Sequence, residues 1–116
     1  MTLFRVELPW PVSVNRYWRR AGKHIHTSTE ARQYRARVGQ LVRDCHRFGT
    51  ARIAVAVVAY PPDNRRRDLD NIGKVLWDAL QHAGIYTDDS QIREIFMVFG
   101  PVRKPDGAVL VTIREM

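Results

Sequence analysis

The sequence predicts a single mixed α+β domain over residues 1–116, with a small central β-sheet and two main helices packed on it. Three observations support this. The chain has 116 residues and is 45% hydrophobic, the size of one domain, whose folding buries about 65% of the unfolded chain's surface. Two stretches carry apolar residues at the three- and four-residue spacing of a helix that faces a core. Around them run short segments with the two-residue alternation, or the unbroken β-branched content, of strands.

The first element is a strand over Thr2 to Leu8, in which Leu3, Arg5 and Glu7 alternate with Phe4, Val6 and Leu8. Pro9 and Pro11 stop it, because proline has no N–H for a ladder. Trp10 to His26 then reads as a long polar and aromatic loop, with His24 and His26 in a basic hairpin rather than a metal site. Here Asn15, Arg16, Arg19 and Arg20 are interleaved with Tyr17 and Trp18, setting guanidinium groups for phosphates beside flat faces for bases or sugars. The competing reading is a surface loop whose Trp10 and Trp18 plug the core. Thr27-Ser28-Thr29-Glu30 reads as a capping box with Thr27 as N-cap. The helix it opens aligns Ala31, Tyr34, Val38, Leu41, Val42, Cys45 and Phe48, and Gly49 ends it. Cys45 in that stripe reads as a buried structural thiol. Arg52 to Tyr60, rich in Ile, Val and Ala, reads as a central strand covered on both faces. Ile72, Val75, Leu76, Ala79, Leu80 and Ala83 form a second helical stripe, with Asp70 as a natural N-cap and Gly84 as its end. Ile92 to Phe99 and Ala108 to Ile113 read as strands joined through a hairpin at Lys104-Pro105-Asp106-Gly107.

The net charge of +7 and the pI near 10.3 favour a polyanionic partner. Residues 1–67 hold 14 Lys/Arg against 4 Asp/Glu, and residues 68–116 hold 5 against 8. The longest apolar run, Ile53 to Tyr60, is too short to span a bilayer, and the N-terminus has no signal-peptide pattern. A single cysteine precludes an internal disulfide and points to a reducing cytoplasm. No Gly-rich phosphate loop, Cys/His metal spacing or internal repeat is present.

Charge of both signs is most concentrated in Arg65-Arg66-Arg67-Asp68-Leu69-Asp70-Asn71. In an extended backbone Asp68 and Asp70 share one side. Carboxylates that close repel unless a cation sits between them, and Mg²⁺ or Mn²⁺ prefers such hard oxygens. Lys74, four residues after Asp70, can face the same site. Asp88 and Asp89 either cap a turn or, if the next strand lies beside the central one, bring one of their number to Asp68 and Asp70. A metal site beside arginines that hold a polyanion suggests phosphodiester chemistry.

These residues resemble the RusA family of Holliday junction resolvases, small DNA endonucleases of bacteria and their phages. The resemblance spans Leu8-Pro9-Trp10-Pro11, Asn15-Arg16-Tyr17, Tyr34-Arg35, the Arg-Arg-Asp-Leu-Asp-Asn motif, Lys74, and Asp88-Asp89 with Gln91. It departs at Val12 and Val14, where Pro and Asn are expected, and the chain leaves little C-terminal tail before Met116. The resemblance implies a mixed α/β fold and a Mg²⁺-dependent homodimer that nicks two opposed strands of a four-way junction near its crossover, in recombination and repair. It assigns metal binding and catalysis to Asp68, Asp70 and Asp89, with Lys74 as the essential lysine. Asn15, Arg16, Tyr17, Arg19, Arg65, Arg66, Arg67 and Asn71 are the expected DNA contacts. The alternatives are a fork or flap nuclease, and a non-catalytic DNA-binding recombination protein.

Overall fold

The computed structural model describes residues 3–116; Thr2, expected in the first strand, lies outside them. The strands are β1 (Leu3–Leu8), β2 (Trp18–Ala21), β3 (His24–Thr27), β4 (Ile53–Tyr60), β5 (Ile92–Phe99) and β6 (Ala108–Glu115). The helices are α1 (Val14–Tyr17), α2 (Thr29–Leu41) and α3 (Leu69–His82), and a 3₁₀ turn covers Asp89–Gln91. One four-stranded sheet has the order β1-β6-β4-β5, and β2 and β3 form a separate ribbon. β4 pairs antiparallel with β6 and parallel with β5. A parallel neighbour needs a crossover, and α3 supplies it. No helix among the described residues is long and apolar enough to cross a membrane.

The core lies between one sheet face and the helices α2 and α3. Ile53, Val55, Val57 and Ala59 of β4 meet Val109, Val111 and Ile113 of β6 there, together with Tyr34 and Val38 of α2 and Val75, Leu76, Ala79 and Leu80 of α3. The expectation that β4 is covered on both faces is corrected. Its alternate residues Ala56, Val58 and Tyr60 are only half-buried, and the strand reads as uninterruptedly apolar because alanine and valine tolerate that position. The hairpin expected at Lys104–Gly107 is not formed either. β4 lies between β5 and β6, so the loop crosses the end of the central strand. Gly107, at φ +66, sits against Tyr60 there, where a Cβ would lie 2.7 Å from the Tyr60 carbonyl oxygen.

The segment Trp10–His26 is more ordered than a loop, folding as α1 and the β2–β3 ribbon, with Gly22 turning at φ +63. The cap of α2 is Ser28 rather than Thr27. Its Oγ accepts from the N–H of Ala31 at 3.0 Å and donates to the carbonyl of Arg16 at 2.6 Å. Glu30 instead pairs with Arg16 at 3.5 Å. α2 ends at Leu41, short of Gly49, so Leu41 is exposed and Cys45 half-buried in the following turn, where burial still raises the thiol's pKa. α3 carries the expected buried stripe and is followed by Gly84 at φ +82.

Candidate active site

α3 starts two residues before the sequence suggested. Asp68, not Asp70, holds the N-cap position, with extended backbone (φ −112, ψ 118) and no side-chain capping hydrogen bond. Asp70 lies in the first helical turn, so the extended alternation expected for the pair stops at Leu69. Both carboxylates nevertheless stand exposed at the helix N-terminus, where its partial positive charge favours them. The Lys74 ammonium lies 3.6 Å from Asp70, as the four-residue spacing requires. Hard, exposed oxygens suit Mg²⁺, which binds through one or two carboxylates, keeps waters and shares substrate phosphates.

The arginines upstream divide by role. Asp63 pairs with Arg67 at 2.7 Å and with Arg65 at 3.2 Å. Its carboxyl pKa is held below the usual range, first by the N–H of Arg65 and then by the Arg67 side chain. Arg67 is mostly buried; its guanidinium also donates to the carbonyls of Asp63 and Arg65 and lies 5.4 Å from the Trp10 ring centroid. It braces the loop through Asp63 and Trp10 and keeps part of its surface at the cavity beside Asp68. Arg65 and Arg66 are exposed, and Arg66 ion-pairs with no other described residue.

Asp89 lies at the opposite end of the molecule. Asp68 follows the C-terminal end of β4, whereas Asp89 precedes the N-terminal end of β5, and the two strands are parallel. The 14 residues of α3, about 21 Å at 1.5 Å per residue, separate them. The N–H of Asp89 donates to the side chain of Gln81 at the far end of α3, at 2.9 Å. The parallel crossover therefore does not bring the later pair to Asp68 and Asp70 within one chain. Among the described residues no three His, Cys, Asp or Glu side chains are grouped to hold a metal. The later pair also splits. Asp88 caps the 3₁₀ turn by accepting from the N–H of Ser90 at 3.0 Å, and its pKa is lowered first by the Ser90 hydroxyl and then by that N–H. The Asp89 side chain remains exposed. Gln91 closes the reciprocal cap and anchors the turn, accepting from the N–H groups of Thr87 and Asp88 and donating to Gly49 and Ala51 carbonyls at 2.8 Å each.

Tyr17 is corrected outright as a DNA contact. It is fully buried, and its hydroxyl donates to Asp78 of α3 and accepts from Arg35 Nε at 3.0 Å. Arg35 also holds Asp78 at 2.6 and 2.9 Å. Burial, then the hydrogen bond to Asp78, raises the phenol pKa far above its ordinary value. This network ties α1 to α2 and α3, and no sequence spacing announced it. Asn15, Arg16 and Arg19 are exposed on α1 and β2, and Asn71 is half-buried near Asp68.

The family model described as Endodeoxyribonuclease RusA matches residues 9–114. The crossover junction endodeoxyribonuclease RusA of Enterobacteria phage HK97 is 41% identical over 118 aligned residues, covering 100% of this chain and 98% of that protein. Proteins of the same name from Escherichia coli (strain K12) and Enterobacteria phage 82 are each 38% identical with the same coverage. Similarity of this extent, reaching over both the acidic helix start and the Asp88–Gln91 turn, means that the chain belongs to the RusA family of endodeoxyribonucleases.

Proposed function

We propose that the chain is a Mg²⁺-dependent resolvase of four-way DNA junctions that acts as a homodimer in the cytoplasm during recombination and repair, with Mn²⁺ able to substitute for Mg²⁺. The observation that carries the reading is the exposed pair Asp68 and Asp70 with Lys74 at one helix start, beside exposed Arg65 and Arg66. A protein that only binds DNA gains nothing from carboxylates turned toward phosphate. The names of the relatives, crossover junction endodeoxyribonucleases, support the same substrate.

In the hydrolysis, a water oxygen bonds to phosphorus, one P–O bond of the backbone breaks, and the departing oxygen takes up a proton. Asp68 and Asp70 would hold the metal. When bound, the metal supplies Lewis acidity to water and neutralises phosphate charge. Lys74, kept near the carboxylates by its pairing with Asp70, offers a fixed cation to the charge that develops on the phosphate. Arg65 and Arg66 draw the backbone in, and Arg16 and Arg19 on α1 and the ribbon extend the basic track.

Two-fold symmetry supports the dimer. β5 is an edge strand with Ile95, Phe96 and Phe99 exposed, a surface that a second copy would cover. Antiparallel association of two β5 edges would set the start of one β5 beside the end of the other. Asp89 of one protomer would then stand near the Asp68–Asp70 pair of its partner. Each site would take carboxylates from both chains, and the two sites would face symmetry-related strands of a junction.

The test is cleavage of an end-labelled four-way junction, with a fork and a linear duplex of the same sequence, with and without Mg²⁺. Paired symmetric nicks on the junction alone, only with metal, are expected. A junction bound but left intact in both Mg²⁺ and Mn²⁺ would refute the reading, and preferential cutting of the fork would move the substrate.

A further inference from the structure

Beside Asp68, between the Trp10–Asn15 segment and the start of α3, lies a cavity of ≈ 430 Å³ whose apolar part has no role in the hydrolysis. Its size falls in the range of pockets that enclose small molecules. The lining joins apolar surface from Trp10, Val12 and Ile72 to the amides of Asn15 and Asn71, with Arg66, Arg67 and Asp68 at the wall nearest the proposed metal site. Trp10 is braced, because Arg67 rests on its ring and is itself held by Asp63. Neither amide hydrogen-bonds to another described residue.

An amide presents a donor and an acceptor side by side, the pattern that pairs with the edge of a base. Arg66 and Arg67 suit the phosphate at the cavity's edge, while the apolar wall of Trp10, Val12 and Ile72 and the two amides suit a flat ring with polar edges attached to it. Since Asp68 lines the cavity and also belongs to the catalytic pair, the occupant must be joined to the scissile phosphate or be its close neighbour. Strands at a crossover leave the regular stack, which reduces the cost of turning a base outward.

We propose that this cavity receives an unstacked nucleobase of the strand being cut, from a nucleotide adjoining the scissile phosphate. The proposal rests on the reading of Asp68 and Asp70 as the site of hydrolysis.

The test inserts 2-aminopurine singly at each position flanking the cut in a four-way junction, and in a second series an abasic site at the same positions. Fluorescence is read on binding in EDTA, where a metal-dependent nuclease does not cut, and cleavage rates are read in Mg²⁺. The variant is Ser13→Phe, because Ser13 lines the cavity, is exposed and makes no side-chain capping hydrogen bond. One position should brighten several-fold with the wild type and stay dark with S13F. At that position, base removal and S13F should each slow cleavage about 5- to 150-fold, the range for losing one stacked base. The two losses should not compound. Bound junctions with no bright position, or abasic sites without effect at every position while intact junctions are cut, would overturn the proposal. If the wild type cuts nothing, the reading of Asp68 and Asp70 fails, and the fluorescence in EDTA still decides the cavity.

Discussion

Replacing Asp78 by alanine tests the network that holds α1 against the two main helices. Asp78 accepts from Tyr17 and twice from Arg35, and the Arg35 and Asp78 side chains keep 17% and 28% of their exposure. Removing one partner of a fully buried pair costs about 3–5 kcal/mol, because the other charge is left uncompensated. Discounted for the residual exposure, the expected loss is about 2–3 kcal/mol, a large part of a small domain's ~5–15 kcal/mol. For a chain of this length that lowers Tm by roughly 8–12 °C. Thermal and urea unfolding followed by circular dichroism at one fixed protein concentration would measure it, since association itself shifts Tm. The triple variant Tyr17→Phe/Arg35→Leu/Asp78→Leu should recover part of the loss, because apolar groups then replace every member of the network and no buried polar group is left unpaired. A loss below ~1 kcal/mol, the value of an exposed pair, would refute the claim that the network organises the N-terminal segment.

Three further outcomes follow from the same contacts. Ser28→Ala removes a buried N-cap and should cost about 1–2 kcal/mol in urea unfolding, whereas Thr27→Ala should cost little. Arg66→Ala should reduce the slope of log K against log salt for junction binding by about one and leave Tm unchanged; Arg67→Ala should instead lower Tm, because Arg67 braces Trp10 and the loop. The Asp63 carboxyl has its folded pKa below the unfolded value near ~3.9, so its stabilising effect is present above about pH 4 and lost as pH falls through the lower folded value. Accordingly, the difference in stability between wild type and Asp63→Asn should be visible at pH 7 and vanish in strong acid; a difference that grows on acidification contradicts the assignment.

The helical stripes of α2 and α3 and the strands β1, β4, β5 and β6 were legible because each has one chemistry on one periodicity. Strand order was not legible. Whether β6 returns beside β5 or crosses to the other side of β4 depends on long-range packing, and the turn residues Lys104–Gly107 suit either route. The cap of α2 slipped by one residue because Thr27, Ser28 and Thr29 are all competent caps, and only the buried setting of Ser28 selects among them. At the site, Asp68, Asp70 and Lys74 were readable from spacing. Asp89 was identified by motif, but its distance from them follows from the parallel pairing of β4 and β5, which no local pattern encodes. Tyr17 sits among arginines and so reads as a DNA contact, whereas its partners Arg35 and Asp78 lie 18 and 61 residues away. The pairing of Arg67 with Asp63, four residues before it, is a local ion pair that the spacing makes available.

Mixing two inactive variants shows whether catalysis needs the acids at both ends of α3 and takes them from two chains. Asp70→Asn and Asp89→Asn should each bind the junction and fail to cut it; removal of negative charge facing DNA should leave binding intact or tighten it. In a mixed dimer one site would carry both substitutions and the other neither. Co-expressed or subunit-exchanged variants should therefore regain nicking of one junction strand per complex in Mg²⁺, without the paired cut. Mixed dimers that remain fully inactive, while each variant still binds junctions and dimerises, would contradict the account and confine each site to a single chain.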